Sequence, residues 1–146
     1  MVGTMPAKTY RRNALARAEE ALMRVLVSLG VVPHTYLLEV RGARSGRLRT
    51  VPVTLVENGG RWLVAPYGER AWVRNVRVSG AGRLRRGRRA TDVRFEEART
   101  EEAAPVLQRY WRVASAARPY FDVGARPELD DFRRVAGSHP VFRVLG

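Results

Sequence analysis

The sequence predicts an α+β domain, a small barrel of mostly antiparallel strands with helices at its periphery. Three observations point there. Short runs rich in β-forming residues are separated by tight turns that contain Gly. Amphipathic helical segments flank these runs instead of alternating regularly with them. The Gly-x-Gly-x-x-Gly and phosphate-loop patterns of parallel α/β sheets do not occur. At 146 residues the chain is one domain on size grounds.

In residues 13–29, Leu15, Ala18, Leu22, Leu26 and Leu29 recur at three- and four-residue steps, the pattern of an amphipathic helix. Gly30 and Pro33 form its stop. Residues 1–33 are therefore expected as a helical segment packed on a barrel of residues 34–146. Arg11, Arg12, Arg17 and Arg24 would also suit a helix lying on a membrane surface. Strands are expected at 35–41, 49–57 and 61–66, the last two joined by the hairpin turn Asn58-Gly59-Gly60. A short helix at 71–78 places Trp72, Val73 and Val76 on one face and ends at Gly80. Residues 82–86 and 89–97 read as a hairpin turning at Gly87-Arg88. Residues 100–116 read as a helix capped by Thr100, with Glu101 and Glu102 in its first turn. A second short helix at 127–135 and a final strand at 139–144 complete the order.

The net charge is +13, from 27 basic and 14 acidic residues, and Lys8 is the only lysine. Part of this is the Arg- and Ala-rich composition of a GC-rich genome. The rest suits an anionic partner: nucleic acid, an acidic membrane, or a phosphorylated or carboxylated cofactor. With no Cys and only His34 and His139, thiolate chemistry and a metal centre are not expected. No stretch approaches the roughly 20 apolar residues of a membrane span, and residues 1–12 lack the apolar core of a secretory signal. A cytoplasmic protein is the expectation, with the N-terminal helix as its one candidate contact with the inner membrane face.

The most informative segment joins the first two strands. From Gly42 to Pro52 it combines Gly42, Ser45 and Gly46 with Arg44, Arg47 and Arg49, just after Arg41. Glycines let backbone N–H groups approach a ligand, and guanidinium forks match phosphate or carboxylate oxygens. On these residues alone an anion site and a plain solvated turn stand level.

The pattern Gly-x-Arg-Ser-Gly-x-x-Arg-x-x-Pro in this segment resembles the signature of the deazaflavin-dependent nitroreductases, split-β-barrel reductases that use coenzyme F-420. Further stretches agree in order: Thr35 to Val40 before the signature, Leu63 to Gly68, Trp72 to Val76, and the His-Pro-Val-Phe run from His139. The resemblance spans most of residues 34–144. It implies hydride transfer from a reduced deazaflavin to a small organic acceptor such as a nitroaromatic, quinone or enone. The cofactor then carries the difficult chemistry and the protein supplies position and charge.

Carried over residue by residue, the resemblance implies that Arg44, Ser45, Arg47 and Arg49 hold the cofactor's anionic tail. It implies that Ala65, Pro66, Tyr67 and Gly68 border the ring or linker, that Asn75 hydrogen-bonds to the cofactor, and that Trp72 packs near it. Pro66 departs from relatives that have serine close by. Tyr110, Trp111, Tyr120 and Phe121 cluster in the later helical region. Of these, Tyr120 is the candidate proton donor on the acceptor side and Trp111 is expected in the core. Both histidines are expected to be structural. Split barrels commonly pair through their strands, so a homodimer is one expected assembly. The same fold could instead hold FMN or a fatty acid. A basic nucleic-acid module is a further alternative, with Arg83, Arg85, Arg86, Arg88, Arg89 and Arg94 as its stripe. Only Phe95 supplies an aromatic residue there, so a solvated hairpin and no specific nucleic acid are expected.

Overall fold

A computed structural model describes residues 17–22 and 34–146. Residues 17–22 are the described part of helix α1, in which Ala18 and Leu22 are exposed. The rest of the expected N-terminal helix lies outside the described residues. The strands are β1 (Thr35–Arg41), β2 (Leu48–Glu57), β3 (Arg61–Val64), β4 (Ala81–Arg86), β5 (Arg89–Glu97) and β6 (Val141–Leu145). The remaining helices are α2 (Ala71–Ser79), α3 (Thr100–Val113) and α4 (Leu129–Val135), with single 3-10 stretches at Ser115–Tyr120 and Ala136–Ser138. No described helix is long and apolar enough to cross a membrane.

The six strands close into a barrel in the order β1-β2-β3-β6-β5-β4, and every pairing is antiparallel. Strand alternation divides the core into two layers. Leu38, Val40, Val53, Leu55, Leu63, Phe142 and Val144 join Val73 and Val76 of α2 in one cluster. Val56, Trp62, Val64 and Val141 turn the other way and meet Ala104, Leu107 and Phe132 of α3 and α4 in the second. At the β1–β4 seam, a β-carbon on Gly82 would stand 2.7 Å from the Glu39 carbonyl oxygen. Glycine is what permits that approach.

Several expected boundaries need correction, among them the start of β6, which lies at Val141 and not at residue 139 because Pro140 lacks an N–H for the ladder. Arg99, in extended conformation, caps α3 in place of Thr100, because Glu102 reaches back to accept the Arg99 N–H at 3.3 Å. Helix α3 ends at Val113 and not at residue 116. The Arg118 guanidinium takes the carbonyls of Trp111 and Arg112 at 2.9 and 3.1 Å, satisfying groups the helix leaves open. Helix α4 starts at Leu129, two residues after the expected Pro127, because Asp131 accepts the Glu128 N–H at 2.7 Å and fixes the start there.

Candidate functional site

Residues 42–47 join β1 to β2 as a closed turn. Gly42 N–H donates to the Arg47 carbonyl at 2.7 Å, and Gly46 N–H donates to the Gly42 carbonyl at 2.9 Å. Gly46 has φ +68°, a left-handed conformation that suits glycine. A β-carbon on Gly42 would come within 2.8 Å of Ser45 Oγ and 3.4 Å of the Arg47 carbonyl oxygen, so a side chain there would fill the cradle. Ser45 Oγ accepts the Arg47 N–H at 3.1 Å and keeps its own proton to donate. Arg41 braces the turn by donating to the Gly46 carbonyl at 3.0 Å. Arg44, Arg47 and Arg49 are exposed and meet no carboxylate among the described residues. Three unneutralised arginines on and just after a glycine turn, with the Arg49 Nε 3.7 Å from where a β-carbon on Gly42 would be, suit a phosphodiester and carboxylates.

Asn75 fixes where this turn stands. It is buried in α2, and its Oδ1 accepts the Ala43 N–H at 2.8 Å. Its oxygen thus ties the turn to α2, while its amide N–H groups remain as donors for a ligand. One turn earlier in α2, half-buried Trp72 packs on the barrel cluster and against Phe142, at 6.2 Å between ring centroids. Helix α2 follows directly on residues 65–68, so it links the arginine turn to that loop. Ala65 is buried and donates its N–H to the Pro140 carbonyl at 2.8 Å, but Pro140 has no N–H to return, so β3 ends at Val64 and not at residue 66. Pro66 is half-buried and Tyr67 is exposed. Gly68 has φ +87° and donates to the Ala65 carbonyl at 3.3 Å.

The aromatic residues of the later helical region meet this loop. Tyr120 lies edge-on to Tyr67, with ring centroids 4.7 Å apart. Tyr110 is buried, and desolvation, helped by nearby Tyr67, holds its hydroxyl protonated well above the ordinary tyrosine range. Trp111 is half-buried and packs against the core, edge-on to Phe132 and under the Arg118 guanidinium. The expected stripe on β4 and β5 is partly neutralised. Arg83 pairs with Asp92 and Arg85 with Glu39, while Arg86 lies over Tyr36 and donates to the Thr35 carbonyl. Concavities of about 280 Å³ beside Glu97 and Pro140, and about 350 Å³ beside Gly82 and Gly146, contain none of the expected site residues. The arginine turn is an open surface.

His139 was expected only as a structural residue, and its His-Pro pair was the one signal of anything more. It is 5% exposed and stacks on Phe121, with centroids 4.0 Å apart and planes 19° from parallel. Its Nδ1 is buried with no hydrogen-bond partner among the described residues. Burial lowers its pKa from the ordinary 6.5, and the nearby backbone of Pro66 and Ala65 offsets only part of that. The unfolded chain therefore takes up this proton at a higher pH than the folded one. Its contribution to stability is full above pH 6.5 and is lost as pH falls toward the depressed folded-state value. Urea midpoints measured from about pH 7.5 down to about pH 5 should fall more steeply for the wild type than for His139→Phe. Parallel curves would mean that His139 titrates alike in both states.

A family model described as F420H(2)-dependent quinone reductase matches residues 9–127. No curated protein matches the chain. Among solved structures, one described as a domain-swapped dimer superposes with a TM-score of 0.55 at 20% identity, over 92% of this chain and 100% of that one. Another, an F420-H2 dependent reductase (FDR-A), gives 0.53 at 19% identity, over 78% of this chain and 95% of that one. The heme storage protein HutZ from Vibrio cholerae gives 0.53 at 12% identity, over 86% of this chain and 88% of that one. At these identities the likeness is one of fold, a split barrel.

Proposed function

Because this chain belongs to the F420H(2)-dependent quinone reductase family, we propose that its arginine turn holds the anionic tail of reduced coenzyme F-420 while residues 65–68 border the ring. The protein is an oxidoreductase that uses this coenzyme to reduce a small organic acceptor. When bound, the reduced deazaflavin supplies a hydride from its C5 carbon. Everything else falls to the chain itself. Arg44, Arg47 and Arg49 attract and orient the phosphodiester and carboxylates, and Ser45 adds a hydroxyl donor. Asn75 keeps the turn in register with α2, and Trp72 seats that helix on the barrel. Ala65, Pro66, Tyr67 and Gly68 present mainly backbone to the ring.

A quinone needs a hydride and a proton to become a hydroquinone. Tyr120, edge-on to Tyr67 beside the loop, is our candidate for handing over that proton. The observation that carries the reading is a closed glycine turn that bears exposed Arg44 and Arg47 and leads into exposed Arg49, whose Nε lies 3.7 Å from where a β-carbon on Gly42 would be, all three without an acid partner among the described residues. FMN has a single terminal phosphate and gives such a turn less to hold. Pairing of two copies and contact of α1 with a membrane face are further parts of the proposal.

The direct test mixes purified protein with reduced F-420 and a benzoquinone and follows reoxidation of the deazaflavin by absorbance. Protein-dependent turnover is expected, with tight deazaflavin binding and weak FMN binding. Tight binding of FMN with none of the deazaflavin would sink the cofactor assignment.

A further inference from the structure

We propose that His139 is a positioning residue that holds Tyr120 against Tyr67 through the stack of its imidazole on Phe121. The proposal rests on the site assignment above and adds a part that the sequence motif did not suggest. Three chain segments meet at His139. Phe121, the neighbour of Tyr120, lies face-to-face on the ring at 4.0 Å. The backbone of Pro66 and Ala65, which leads into Tyr67, approaches the same ring. The residues on either side of His139 also grip that loop. The Pro140 carbonyl accepts the Ala65 N–H at 2.8 Å, and the Ser138 carbonyl oxygen lies 3.5 Å from where a β-carbon on Gly68 would be.

The imidazole is thus the shared support of both sides of the Tyr67–Tyr120 contact. Phe121 also meets Tyr110, at 6.0 Å between centroids with the planes tilted by 39°, so its ring contacts two planar groups. A planar face at position 139 sets the tilt of Phe121, and through one peptide bond the placement of Tyr120. An aliphatic side chain of similar volume would fill the space but present no planar face to Phe121.

The test compares His139→Phe, which keeps a flat face, with His139→Leu, which keeps apolar bulk without one. In the ligand-free protein, nuclear Overhauser contacts between the Tyr67 and Tyr120 rings should be present in the wild type, retained in His139→Phe and lost in His139→Leu. With reduced F-420 and a quinone, His139→Leu should raise the quinone KM about tenfold with kcat within about threefold. His139→Phe should stay within about twofold of the wild type in both. Retained ring contacts in His139→Leu, or equal loss in both variants, would overturn the proposal. If wild-type protein shows no turnover with F-420, the functional reading fails, and the ring contacts still decide the role of His139. Should His139→Leu fail to fold, His139→Asn, small and polar without a ring, takes its place with the same expected losses.

Discussion

Replacing Arg44 and Arg49 together by alanine is expected to weaken binding of reduced coenzyme F-420 by roughly 30- to 150-fold, equivalent to about 2–3 kcal/mol. Both guanidinium groups are exposed, so each charge-assisted hydrogen bond is screened and falls in the lower part of its usual range. Neither is tied to a carboxylate among the described residues, so no compensating ion pair is lost from the free protein. The turn is closed by its own backbone hydrogen bonds and pinned by Asn75, so the variant should remain folded with an unchanged thermal midpoint. Raising the salt concentration should weaken wild-type binding more than binding by the variant. Exchange of both arginines for lysine should restore part of the affinity, because charge returns without the planar fork. Unchanged affinity in the alanine pair would mean that the tail is held elsewhere.

The largest expected effect on stability is from Phe132→Ala. Phe132 is wholly buried in α4, edge-on to Trp111 with centroids 6.4 Å apart, and belongs to the layer between the barrel wall and the helices. Removing its ring costs transfer free energy and leaves a cavity, together about 3–5 kcal/mol. For a chain of this size that lowers the thermal midpoint by roughly 6–20 °C. Val78→Ala, at an exposed position on α2, is the matched control and should move the midpoint little. A small shift for Phe132→Ala would show that α3 and α4 close up around the lost ring. The layer that Phe132 fills also contains Tyr110 and Phe121, so quinone reduction should suffer before coenzyme binding does.

Much of the fold was legible because its signals are local. The Asn58-Gly59-Gly60 turn, Gly80 at the end of α2 and the Gly87-Arg88 turn each mark a boundary through backbone conformations that favour glycine. The strand at 61–66 was read from the same turn, and in the structure its period-two alternation sends Leu63 to one core layer and Trp62 and Val64 to the other. The errors occurred where a side chain acts at a distance along the chain. Arginine is not a typical capping residue, so Thr100 looked the better cap, yet Glu102 selects Arg99. The end of α3 depends on Arg118 reaching back to Trp111 and Arg112, a contact that no helical period encodes.

The candidate site divides along the same line. The arginine turn is contiguous in sequence and could be read as a candidate anion site. Asn75 came through as a residue of interest, but its partner Ala43 lies 32 positions away, so its bond to the turn had no local trace. The joining of Tyr67 to Tyr120, and of Phe121 to His139, is a product of barrel closure. The function class became legible only through ordered family motifs, since a cofactor that carries the hydride asks no nucleophile or metal cluster of the chain.

The order in which the barrel closes has a consequence for its birth on the ribosome. Strand β6 pairs with β3 on one side and β5 on the other, and it is the last of the described strands to be made. Until residue 145 has emerged, the other five strands can form at most an open sheet in the order β3-β2-β1-β4-β5, with two bare edges. The nascent chain is therefore most vulnerable to mispairing with a second nascent chain just before β6 emerges. Late-stalled or truncated products should depend on chaperones far more than the finished protein does.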